Sequence, residues 1–371
     1  MASITKRGKT WQYTVSRYIE GEYKPIRKGG FLKERDAKIA AAKVATDLAD
    51  GLAPSSNTDI LSDYFKAWMS DYKTQRAVHT IERYENTHRT LQKIFPRETL
   101  QSMTKRKYQR AMDEYGRTHA IATMKKLNGH IRACVKEAVD EGRIRVDFTR
   151  GVELNSKIAE KKEEDKFLNF FESQRLLKYL RLHIGRSPVY ALLILAIVTG
   201  LRFGELLGLK RTDFDFKNNQ IHVKRSWDYK KKTGFVALKN KQSERTVDVD
   251  LSVMDFFKDY FAGIPENFKG LAFYNSLSSD GSFSNEGVNK TLRKALEQLE
   301  FKIITVHGLR HTFISILLYK RISIHYVAEQ AGHKNSLITQ TTYAHVLDEL
   351  RDEEKVKSAG VIGNLFNGAA V

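Results

Sequence analysis

Residues 188–208 read PVYALLILAIVTGLRFGELLG. The apolar run at 189–198 is about half of the ~20 residues needed to cross a bilayer. It therefore predicts a helix buried on all sides at the centre of a domain. Gly200 stops that helix, because a residue without Cβ suits the left-handed cap. Gly204 then allows close backbone approach as the next helix starts. Arg202 is thus carried out at the tip of a buried element, with Glu205 one turn on to orient it. A guanidinium fork matches two phosphate oxygens at once, which an ammonium cannot do. The same two residues would also serve as an Arg–Glu cap on a surface turn.

Around this stretch lies a chain of 371 residues with 63 Lys and Arg against 44 Asp and Glu, a formal net charge of +19. That length suggests two or three domains. Hydrophobic residues at 41% are enough to fill real cores, so the chain is not disordered. The excess of cations points to a polyanionic partner, nucleic acid first. The cations are spread over the chain rather than set along one amphipathic helix, and the N-terminus has no apolar signal core, which argues against a membrane partner. Cys134 is the only cysteine, so an internal disulfide and a cysteine-based zinc cluster are excluded, and a reducing cytoplasm is expected. Neither a phosphate-binding Gly-rich loop ending in Lys-Ser/Thr nor a dinucleotide fingerprint is present. The expectation is chemistry without cofactor and without metal.

The periodicities divide the chain in three and predict a mainly α, multi-domain protein with small β-sheets. Residues 1–52 combine strand-like segments at 10–18 and 24–31 with an Ala-rich helix at 34–48, a small sheet-plus-helix module. It carries Lys6, Arg7, Arg17, Lys24, Arg27 and Lys28, either a solvated face or a DNA-docking sheet. Residues 58–155 hold helical patterns at 60–72, 81–95, 105–115 and 120–140, an all-α domain whose outer faces bear Arg83, Arg89, Lys105, Lys125 and Lys126. Interleaved cations of this kind suit phosphate contacts. A charge-dense linker at 157–165 leads into residues 166–371, an α+β region with helices at 172–183, 188–199, 251–261, 284–299, 309–320, 323–331 and 336–350. Short strands are expected at 219–227, 235–238 and 246–249.

This last region holds further chemistry. Val306-His307-Gly308-Leu309-Arg310-His311 opens a helix, where His307 and Arg310 can face one anion at the N-terminus. His307 and His311 also stand at metal-ligand spacing, but without the Glu beside the first His that a metalloprotease helix shows. Ala331-Gly332-His333 adds an imidazole after a helix stop, and Thr342-Tyr343-Ala344-His345 adds a phenol. Two Arg, two His and a Tyr fit one reaction, attack of the phenol oxygen on a phosphodiester with guanidiniums holding the non-bridging oxygens. The basic hairpin Leu238-Lys239-Asn240-Lys241-Gln242-Ser243-Glu244-Arg245 supplies a candidate acid for the leaving oxygen. Its cations could equally grip the DNA backbone.

The order Arg202-x-x-Glu205, Lys239, His307-x-x-Arg310, Gly332-His333, Tyr343 resembles the tyrosine recombinases, in particular phage and conjugative-element integrases. The resemblance spans about residues 166–350, and the upstream regions look like the arm-binding sheet module and the four-helix core-binding domain of that family. It implies a site-specific recombinase acting through a 3′-phosphotyrosyl intermediate. Tyr343 would be the nucleophile, Arg202 and Arg310 the phosphate clamp, and His307 a general base or hydrogen-bond partner. His333 would bond the phosphate, Lys239 would be the general acid with Lys241 as alternative, and Glu205 would orient the arginines. It further implies double-stranded DNA partners with core and arm attachment sites, a homotetramer on DNA, a directionality factor and a host DNA-bending protein. The family pattern has Thr where Asn240 stands. A chromosome-dimer resolvase and a type IB topoisomerase share the chemistry.

Overall fold

A computed structural model of the chain describes residues 2–19, 21–49, 59–73, 78–160, 163–238 and 243–368. Its elements are β1 (Ala2–Arg7), β2 (Thr10–Val15), β3 (Tyr18–Ile19), β4 (Glu22–Tyr23), β5 (Ile26–Phe31), α1 (Glu34–Ala49), α2 (Leu61–Tyr72), α3 (Val78–Ile94), α4 (Lys105–Tyr115), α5 (Ile121–Asp140), α6 (Phe170–Leu182), α7 (Pro188–Thr199), α8 (Phe203–Gly208), β6 (Phe214–Asp215), β7 (Gln220–Val223), β8 (Ser226–Asp228), β9 (Gly234–Val236), β10 (Arg245–Asp248), α9 (Leu251–Ala262), α10 (Asn285–Gln298), α11 (Val306–Tyr319), α12 (Ile324–Ala331), α13 (Ser336–Thr342) and α14 (Ala344–Gly368). The protein is mostly helical with small antiparallel sheets, as the periodicities predict. It falls into two compact units, Met1–Glu160 and Lys161–Val371.

In the first unit β2 lies between β1 and β5. Period-2 alternation puts Tyr13 and Val15 on one face, where they are buried with Ala37 and Ala41 of α1. Strand β1 carries no strong apolar signal in the sequence and is held by its pairing with β2, from Ala2 opposite Val15 to Arg7 opposite Thr10. The helices α2–α5 close around a second core that includes Phe65, Trp68, Leu91, Tyr108, Met112, Met124 and Ile131. Thr104 starts α4 by accepting a hydrogen bond from the Lys107 N–H. Cys134 is buried as a free thiol in this core.

In the second unit α7 is the centre. Leu192, Leu193 and Leu195 are all sealed from solvent, and α6, α8, α10 and α11 pack around the helix. The same unit holds a sheet ordered β10-β7-β6, with β10 against α12, and a separate β8-β9 pair, with β8 against α8. The single strand expected over 219–227 is therefore two strands. The break falls beside Arg225, whose guanidinium turns to the buried Asp213 carboxylate at 2.6 Å. Helix α11 is seated through Thr312, whose hydroxyl accepts from Leu168 N–H and donates to Gly308 C=O, both at 2.9 Å.

The helix expected over 336–350 is also interrupted. Tyr343 leaves the helical conformation between α13 and α14 (φ −115°, ψ 23°), and its ring is buried among Ile314, Leu318, Val327 and Ala331. Packing of one aromatic ring thus outweighs the local helical propensity. Beyond it α14 runs on to Gly368.

Gly200 caps α7 in the left-handed region (φ 63°), and a Cβ built there would stand 2.5 Å from the Phe313 ring. Gly200→Ala is expected to destabilise the protein by about 2–4 kcal/mol, from left-handed strain together with overpacking. The measurement is a lower urea midpoint with an unchanged slope.

Candidate active site

The site is assembled from helix ends. Arg202 is the N-cap of α8. Its backbone N–H and guanidinium both donate to the Glu205 carboxylate, at 3.0 and 2.8 Å. Its other terminal guanidinium nitrogen donates to the Gly332 carbonyl at 2.7 Å. Gly332 is the left-handed cap of α12 (φ 67°), and a Cβ there would collide with the Arg245 guanidinium at 2.7 Å. The lack of a side chain at 332 lets Arg245 lie against that turn.

Arg245 is placed differently from the DNA contact read in the sequence. Its side chain is 5% exposed, and it donates to Gln330 C=O at 2.8 Å, Ser243 C=O at 2.9 Å and Glu205 at 3.0 Å. It is an internal strut. Burial alone would raise the Glu205 carboxyl. The charge and hydrogen bond of Arg245, then those of Arg202, outweigh this and hold it below the ordinary carboxylate range.

Arg310 projects from the first turns of α11 and is 3% exposed. One terminal nitrogen donates to the Gly200 carbonyl at 2.7 Å. The other is buried with no acceptor among the described residues. Burial and then the Arg202 charge push its pKa down to about 9, which leaves it cationic at neutral pH. His307, in the first turn of α11 after the Thr305 cap, is pushed below the usual histidine value by burial, then by Arg310 and Arg202. His333 is pushed down to about 3 by burial and the charges of Arg310, Arg202 and Arg245, with its Nδ1 2.7 Å from the Thr339 hydroxyl. Both imidazoles are neutral at pH 7.

Tyr343 is 2% exposed, and its hydroxyl lies 2.8 Å from His311 Nδ1. It is close enough to Arg310 to act on the charge of that guanidinium. The His311 ring meets His307 edge-to-face at 4.8 Å. In the sequence His311 stands out only as half of a metal-like His pair, although its place beside Arg310 was the available signal. Lys239 and Lys241 lie outside the described residues. Among the described residues no group of three His, Cys, Asp or Glu could hold a metal ion.

The cations expected to meet DNA are distributed as follows. Arg83, Arg89, Lys105, Lys125 and Lys126 are exposed on α3–α5. Lys6, Arg7, Lys24, Arg27 and Lys28 are exposed and Arg17 is half-buried. Lys24 pairs with Glu22 at 2.8 Å. Register splits the sheet residues, because Arg27 opposes Thr14 whereas Lys28 opposes the core residue Tyr13.

Residues 166–349 match the model of the phage integrase family, and residues 2–48 match an arm DNA-binding domain. The chain belongs to the phage integrase family of tyrosine recombinases. This recombinase is 26% identical to a XerC-like tyrosine recombinase of Caldanaerobacter subterraneus subsp. tengcongensis over 98% of both chains. It is 25% identical to the integrase of Staphylococcus phage L54a, covering 76% of this chain and 86% of that one. Its fold is that of the Tn1549 transposon integrase solved with a circular intermediate DNA, with a TM-score of 0.65 at 20% identity, over 81% of this chain and 99% of that one. Among the described residues no helix is long and apolar enough to cross a membrane.

The two depressed histidines set a pH dependence. Unfolded, each protonates near the ordinary histidine value of 6.5, while the native state stays neutral and binds fewer protons. Their contribution is complete above that pH and is lost as the pH falls toward the folded values. The melting temperature is expected to drop between pH 7.5 and 5.5, and His333→Gln to make that drop smaller, as differential scanning calorimetry would show.

Proposed function

We propose that this tyrosine recombinase integrates and excises a phage or other mobile element by breaking and rejoining DNA at specific sites. Tyr343 attacks the scissile phosphorus, leaving a 3′-phosphotyrosyl bond and a free 5′-hydroxyl. Arg202 and Arg310 hold the non-bridging oxygens, where charge builds in the transition state. Neutral His333 donates a hydrogen bond to the same phosphate through the ring nitrogen that Thr339 does not engage, and His307 borders the site as a hydrogen-bond partner or base. Lys239, or Lys241 in its place, protonates the leaving 5′ oxygen. The phosphotyrosyl ester keeps the bond energy for religation, so no nucleotide is consumed.

The observation that carries this reading is Arg310. A buried guanidinium with one fork nitrogen fixed to Gly200 and the other unmatched is costly unless an anion completes it. A phosphate oxygen is the anion that this fork suits.

In this reading residues 1–52 bind arm sites, residues 58–155 bind core sites and residues 166–371 form the catalytic domain. The arm module favours integration over chromosome-dimer resolution or type IB relaxation. The work takes place on double-stranded DNA in the cytoplasm, by a homotetramer assisted by a directionality factor and a host DNA-bending protein. Support for assembly comes from α14, where Val361, Ile362, Leu365 and Phe366 are exposed at helical spacing. In a tetramer they would dock on a neighbouring protomer.

On a nicked suicide duplex carrying the attachment sequence that flanks the encoding element, the wild-type protein is expected to give an SDS-resistant protein–DNA band. Tyr343→Phe should bind the duplex and give none. Arg310→Ala should slow adduct formation by about 100-fold or more. Truncation before Asp352 should reduce recombination far more than DNA binding, measured by plasmid recombination and gel shift; equal loss of both would contradict the docking role of α14.

A further inference from the structure

We infer that His311, rather than His307, is the group that takes the proton from Tyr343 during strand cleavage. The inference rests on the reading of Tyr343 as the nucleophile. A general base must stand within about 2.6–3.2 Å of the proton it removes, and His311 Nδ1 stands 2.8 Å from the phenol oxygen.

Both partners are held in place by packing. Tyr343 is wedged beside α11 among Ile314 and Leu318 of that helix and Val327 and Ala331 of α12. His311 is on the same α11, whose start is fixed by the Thr305 cap and by the contacts of Thr312 to Leu168 and Gly308. The His311 ring is further supported by the near-perpendicular His307 ring, and its centre lies 5.6 Å from the Tyr343 ring centre at a 50° tilt. A proton acceptor on a rigid helix, next to the residue that binds the phosphate, keeps phenol and phosphorus in step. Burial, and then the charges of Arg310 and Arg202, disfavour a positive charge on His307 itself.

With its own proton on Nε2, His311 accepts the phenolic proton at Nδ1 as the Tyr343 oxygen–phosphorus bond forms. The phosphorus–O5′ bond breaks and the leaving oxygen takes a proton from the separate lysine acid. In religation the 5′-hydroxyl attacks, its proton returns to that amine, and His311 returns its proton to the phenolate.

The test uses the full chain and the nicked suicide duplex. His311→Asn keeps a polar group near the Nδ1 position but takes up no proton at neutral pH. It is expected to bind the duplex as the wild type does and to form adduct about 100-fold more slowly at pH 7. Its rate should climb about tenfold per pH unit as hydroxide substitutes for the base. A 5′-bridging phosphorothiolate, whose leaving group needs no acid, should leave this defect in place while repairing that of Lys239→Ala or Lys241→Ala. In His311→Gly, added imidazole should restore part of the rate. An Asn variant within threefold of wild type, a defect repaired by the phosphorothiolate, or a Gly variant indifferent to imidazole would each overturn the assignment. Adduct formed by Tyr343→Phe would instead overturn the nucleophile on which it rests.

Discussion

A single buried carboxylate, that of Glu205, makes the proposed catalytic site possible. Arg202, Arg245 and Arg310 place three positive charges within one partly sealed region, and Arg202 and Arg245 each act to push the Arg310 proton off. Glu205 opposes this by accepting from both Arg202 and Arg245. In a low-dielectric interior such a pairing is weak evidence of net stability, but loss of one partner is strongly destabilising, on the order of 3–5 kcal/mol. The arrangement therefore exchanges stability for a site in which cationic donors are already fixed. Fixed donors need little reorganisation when negative charge develops on a phosphate.

The remaining anchors are helix C-termini. Arg310 bonds the carbonyl of Gly200 at the end of α7, and Arg202 and Arg245 bond the carbonyls of Gly332 and Gln330 at the end of α12. Those carbonyls lack intrahelical partners and carry the negative end of the helix dipole, so they are natural seats for guanidinium groups. Both helices end in a left-handed glycine. The same glycines that stop the helices thus bring their last carbonyls to the arginines.

Much of this was legible in sequence because it is local. The glycine caps, the Arg202–Glu205 spacing and the placement of His307 and Arg310 at a helix start follow from a few neighbouring residues each. The buried centre at α7 follows from an uninterrupted apolar run. What the sequence could not convey depends on residues far apart in the chain. The Arg202–Gly332 bond spans 130 positions, and the strut from Arg245 to Glu205 spans 40. Read alone, Arg245 is one more cation in a basic hairpin. The phenol partner His311 is 32 positions from Tyr343, and the break at Tyr343 arises from tertiary packing that helical periodicity does not encode. Strand β1 was faint for a similar reason, since its pairing with β2 rather than its own apolar content holds it in the sheet.

The central claim is that the unmatched nitrogen of Arg310 is built for a non-bridging oxygen of the reacting phosphate. The most direct measurement is a crystal structure with vanadate linking Tyr343 to the cleaved strand ends of the attachment duplex. This nitrogen is expected about 2.7–2.9 Å from an equatorial vanadate oxygen while its neighbour keeps Gly200. Vanadate seated elsewhere, with Arg310 still unmatched, would contradict it.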